Sequence, residues 1–101
     1  MAVYGGNQAG QYPNIDQRIP GVGYVIANLP LGAKGWTGTL KWRDILTGRS
    51  GSAGPSTQGP TGVNAIDFPQ LRTGPGLKAV TVKVTSDKGQ AFSCSGRLYV
   101  F

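Results

Sequence analysis

A period-two alternation of apolar and polar residues organises the C-terminal third of the chain. From Lys78 to Ser86, Val80, Val82 and Val84 fall on one face of an extended strand, with Thr81, Lys83 and Thr85 on the other. Gln90 to Phe101 repeats the pattern. Phe92, Cys94, Leu98 and Val100 point inward, and Ser93, Ser95, Arg97 and Tyr99 outward. Between these runs Asp87-Lys88-Gly89 suits a three-residue hairpin loop, a type I turn closed by a left-handed glycine. Pairing Ser86 with Gln90 sets Val84 opposite Phe92, Val82 opposite Cys94 and Lys83 opposite Ser93. Inward residues then meet inward residues, so turn chemistry and hydrophobic pattern predict the same hairpin.

Three earlier segments carry weaker versions of the signal. Gly23 to Leu29 is a short run bounded by glycine and Pro30. Trp36 to Arg43 alternates, with Trp36, Leu40 and Trp42 on one face and Thr37, Thr39, Lys41 and Arg43 on the other. Val63 to Leu71 reads as a short strand or edge segment ended by Phe68-Pro69. No stretch sustains the i, i+3, i+4, i+7 spacing of an amphipathic helix.

Two stretches have no period. Residues 1–22 are rich in Gly, Gln, Asn and Pro with isolated apolar residues, and read as an extended N-terminal arm. Residues 47–62 read as a long Gly/Ser/Pro-rich loop with no apolar residue larger than alanine. About five short strands between Gly/Pro turns predict an all-β fold: a small antiparallel β-sandwich, immunoglobulin-like or jelly-roll-like, or a barrel. The expected organisation is an arm at 1–22 and a single β domain at 23–101, with Trp36 or Trp42 packed over the valine face.

Composition narrows the function classes. At 101 residues the chain holds one core and no second lobe to wall a deep cleft. It has no histidine and no glutamate, which removes the commonest general base and the usual nucleophile–histidine pairs. The carboxylates are Asp16, Asp44, Asp67 and Asp87, and only Asp44 with Asp67 is conceivable as an acid/base pair. The single cysteine, Cys94, forms no intrachain disulfide; its inward position reads as a small buried apolar residue rather than a reactive thiol. Gly21-Val22-Gly23 and Thr73-Gly74-Pro75-Gly76 lack the Lys-Ser/Thr of a phosphate loop and read as turns. No catalytic residue, cofactor site or metal site is predicted, and the chain is expected not to be an enzyme.

Ten Lys and Arg residues against four acids give a net charge of +6. That balance favours polyanionic partners, although solubility alone also accounts for it. If the alternating strands share a sheet, Lys41, Arg43, Lys83, Arg97 and Tyr99 form one basic outward face. Such a face carries the elementary equipment of a single-stranded nucleic-acid binder.

The arm and the loop carry a different expectation. Neither buries enough apolar surface to order itself, so both are expected to be held by neighbouring subunits. The sequence-level reading is therefore a non-catalytic structural protein of a larger assembly, a virus or phage capsid or decoration protein. In it Val3, Tyr4, Tyr12, Ile15 and Ile19 act as apolar pegs on adjoining chains, copies of itself or a major shell protein. Arg18, Arg49 and Arg72 form interface ion pairs. The alternatives are a free protein-binding or inhibitor module and the basic nucleic-acid-binding domain. No signal peptide or membrane-spanning run is visible, so the expected location is a virion assembled from cytoplasmic material, or the cytoplasm itself.

Overall fold

The structure, a computed structural model, describes residues 1–9, 18–30, 33–59 and 63–101. Seven strands run in chain order: β1 (Ala2–Ala9), β2 (Arg18–Asn28), β3 (Thr37–Asp44), β4 (Ser50–Thr57), β5 (Ala65–Leu71), β6 (Gly76–Thr85) and β7 (Ala91–Val100). They form two antiparallel sheets, β1-β2-β5 and β4-β3-β6-β7, packed face to face as a small β-sandwich. No helix is present among the described residues.

The C-terminal hairpin has the register its alternation dictates: Val84 opposite Phe92, Val82 opposite Cys94, Lys83 opposite Ser93. Gly89 takes the left-handed conformation the turn requires, at φ 81°. The turn's side-chain bonds come from Ser86 rather than Asp87. The Ser86 hydroxyl accepts from the backbone N–H of Lys88 and of Gln90, at 3.2 and 3.1 Å.

The core lies between the sheets. Leu40 of β3 and Val80, Val82 and Val84 of β6 meet Val25 and Ala27 of β2 and Ile66 and Phe68 of β5, all at 2% exposure or less. Side chains of this kind each stabilise the fold by roughly 1.5–3 kcal/mol through burial. Trp36 is buried in this core and stacks on Phe92, centroids 5.5 Å apart. Trp42 is only partly buried, directly opposite Val80.

Three expectations are corrected. The stretch expected to be an unpaired arm supplies an edge strand: Ala2 to Asn7 pairs with Gly23–Asn28, and β2 begins at Arg18. Residues 10–17 of that expected arm lie outside the described residues. Val3 is therefore no free peg, since it packs against its own core. Much of the expected loop is β4, paired with β3 from Ser50–Arg43 to Thr57–Thr37. Thirdly, Phe92 was expected inside but is half exposed, because it sits near the hairpin end of an outermost strand; Cys94 is half-buried.

Side chains tie the sheets together. Asn7, buried on β1, donates to the carbonyls of Ile19 and Phe101 and accepts from the Phe101 N–H, each at 3.0 Å. Its amide thus pairs with the chain end as a neighbouring strand would. On the opposite flank the Gln58 amide donates to Ala33 and Val63 carbonyls, at 2.7 and 2.9 Å.

A candidate docking face on the four-stranded sheet

The register of β4-β3-β6-β7 settles which outward residues are neighbours. One row across the sheet reads Ser50, Arg43, Ala79, Arg97, and the next reads Ser52, Lys41, Thr81, Ser95. A third contains Thr39, Lys83 and Ser93. Lys41, Arg43, Lys83, Arg97 and Tyr99 therefore lie on one face, as their alternation predicts, and all five are exposed. Strands in a sheet stand about 4.8 Å apart, so Arg43 and Arg97 flank Ala79 at a backbone separation of about 10 Å. Lys41 and Lys83 stand diagonally on adjacent strands, about 7–8 Å apart. Between the rows lies an open depression of about 490 Å³ lined by Lys41, Arg43, Ser50, Ser52 and Thr81.

No described carboxylate shares this face. Asp44 alternates inward at the end of β3, Asp67 lies on the outer face of the other sheet, and Asp87 sits in the hairpin turn with its carboxylate against Gly35. Within these three rows the other positions are Ser, Thr and Ala, and the Thr81 and Ser95 hydroxyls are 3.2 Å apart. Like charges close together on a low-dielectric wall repel one another, and an anionic partner relieves that repulsion.

The sequence reading missed two features. Extending the register one pair beyond Lys78–Asp44 brings Ile45 beside Leu77, where the Ile45 N–H donates to the Leu77 carbonyl at 3.1 Å. Leu77 in turn pairs with Tyr99. An apolar row, Ile45–Leu77–Tyr99, therefore borders the Arg43–Arg97 row, with Tyr99 64% exposed. The second feature is the buried pair behind that end of the sheet. Lys78, fully buried, donates to Asp44 at 2.6 Å and to the Pro75 carbonyl at 2.9 Å. Asp44 also accepts from the N–H groups of Leu46 and Thr47, at 2.9 Å each. The Lys78 bond, then the Thr47 bond, holds its carboxyl well below the usual carboxylate range. Parity marks the face each residue takes, Ile45 with Lys41 and Arg43 and Lys78 with the valines, but the β3–β6 pairing that brings each feature together is not written in it.

The other candidates do not converge. Tyr4 and Ile19 are exposed on the three-stranded sheet, while Tyr12 and Ile15 lie outside the described residues. Arg18, Arg49 and Arg72 are exposed, and among the described residues the one ion pair is Lys78–Asp44. Asp44 and Asp67 stand on different sheets, so they do not form the acid/base pair considered above.

No protein family, curated protein or solved structure matches this chain.

Proposed function

We propose that the chain is a non-catalytic docking domain that holds a polyanionic partner against the outer face of its four-stranded sheet. One observation carries this reading: Lys41, Arg43, Lys83 and Arg97 share a face that holds no described carboxylate. A sheet face whose charge served solubility alone would mix both signs, as stable soluble surfaces do.

The setting we propose is a larger assembly, a virus or phage particle in which the chain is a capsid or decoration component. The slab, 38 × 35 × 18 Å, supports it by having two broad faces of unlike chemistry. Opposite the basic face, Tyr4, Ile26 and Asp67 form a cross-strand row beside Tyr24. A domain wedged between two components has use for two such faces, whereas a free inhibitor needs one. Contact here is made by sheet faces instead of a trailing arm and loop.

Size fractionation of the native source tests the setting. Travel with megadalton particles is expected, and a chain that runs as a 10.5 kDa monomer contradicts it.

A further inference from the structure

We infer that the polyanion held on this face is single-stranded nucleic acid, its phosphates met by Lys41, Arg43, Lys83 and Arg97 and a base stacked on Tyr99. The inference rests on the docking reading above and names its partner.

The apolar row decides the class. Tyr99 follows Arg97 by two residues on the same face of β7, about 7 Å along the strand. An exposed aromatic ring thus stands next to Arg97 on β7, with Ala79 as a low floor between Arg97 and Arg43. A single strand offers phosphates and free base faces together, and binders of such strands combine cations with aromatic platforms. A duplex hides its base faces in the stack, and among the described residues no helix or ribbon rises from this sheet face to enter a groove. An acidic protein surface is the competing class, since tyrosine also serves at protein interfaces; a single strand is favoured because phosphate and base face together use the cation row and the ring at the spacing found here. The hydroxyls of Ser50, Ser52 and Thr81 around the depression supply further hydrogen-bond partners for phosphate oxygens and sugar.

The geometry sets magnitudes. Four cations on a single strand give a slope of log affinity against log salt no steeper than about −2.8, at about 0.7 per neutralised phosphate. Stacking on one ring is worth about five- to a hundredfold in affinity.

The test is fluorescence anisotropy of the full chain with labelled oligothymidylate and oligouridylate of about twelve nucleotides, over a salt series. We expect binding with a negative slope. Arg97→Gln should flatten that slope by about 0.7. Tyr99→Ala should weaken binding about five- to a hundredfold while leaving the slope unchanged, and Tyr99→Phe should retain affinity. Tyr99 is largely exposed, so neither substitution threatens the fold. If heparin competes equally well and Tyr99→Ala changes nothing, the face reads charge alone: the nucleic-acid inference falls and the docking reading stands. If neither oligonucleotide nor heparin binds at low salt, both fall.

Discussion

The fully buried Lys78 ammonium reaches from the start of β6 to the largely buried Asp44 carboxylate at the end of β3, 2.6 Å away. Through Asp44 it also fixes the β3–β4 turn, whose Leu46 and Thr47 N–H groups bind the same carboxylate. That turn carries Ile45 into the row beside Arg43, so a buried pair positions one corner of the basic face.

Removing one partner leaves the other as a buried charge, which costs far more than the pair is worth. Asp44→Asn should therefore lower the thermal unfolding midpoint markedly. A double variant, Lys78→Met with Asp44→Leu, should unfold at a higher temperature than Asp44→Asn. Thermal melts followed by circular dichroism rank the three proteins; equal midpoints for Asp44→Asn and the unaltered chain contradict the assignment.

The same pair gives a pH dependence. The carboxyl's folded value is depressed, so its stabilisation is fully present above the unfolded value of about 3.9. It is lost as pH falls through the lower folded value. Urea midpoints should decline below about pH 4, and Asp44→Asn should flatten that decline. An identical acid limb in both proteins rules this out.

Phe68 fills the core from β5 at 1% exposure, with its ring edge close to Gly38 of the facing sheet. Phe68→Ala should cost about 3–5 kcal/mol by urea unfolding, a large fraction of the stability of a small domain. A loss below about 1 kcal/mol means the sheets do not pack as described.

Residues 1–9 form a sheet edge tied by Asn7 to Phe101, so their deletion should not act like the removal of a loose arm. The shortened chain should melt well below the full one. Asn7→Ala alone should cost about 0.5–1.5 kcal/mol, since it takes the part-buried Phe101 N–H and Ile19 carbonyl from their partner while the Phe101 carbonyl keeps the Gly21 N–H. An unchanged midpoint after deletion restores the arm reading.

The strands with strict alternation were legible in the sequence, down to the β6–β7 register, because each valine or threonine marks its own face. β1 and β4 were not, because glycine erases the pattern when its job is clearance. A Cβ on Gly51 of β4 would sit 2.7 Å from the Trp42 ring, and one on Gly5 of β1 would collide with the Tyr24 carbonyl. Those glycines mark close approach between neighbours, yet in sequence they look the same as linker glycines. The outward parity of the five basic-face residues was readable strand by strand, and they form one face only because β3, β6 and β7 share a sheet. The Ile45–Leu77–Tyr99 row was not readable, because Ile45 and Leu77 are brought together only by a pairing between strands more than thirty residues apart.

The most direct test of the docking face holds net charge constant while changing its location. Lys41→Glu with Lys83→Glu takes the chain from +6 to +2, each substitution removing two units, and Arg18→Glu with Arg72→Glu does the same at the start of β2 and just past the end of β5, off the four-stranded sheet. Salt elution from immobilised heparin compares the two. The first pair should elute at much lower salt than the unaltered chain, with the second close to it; equal losses would mean that overall charge, and not this face, holds the polyanion.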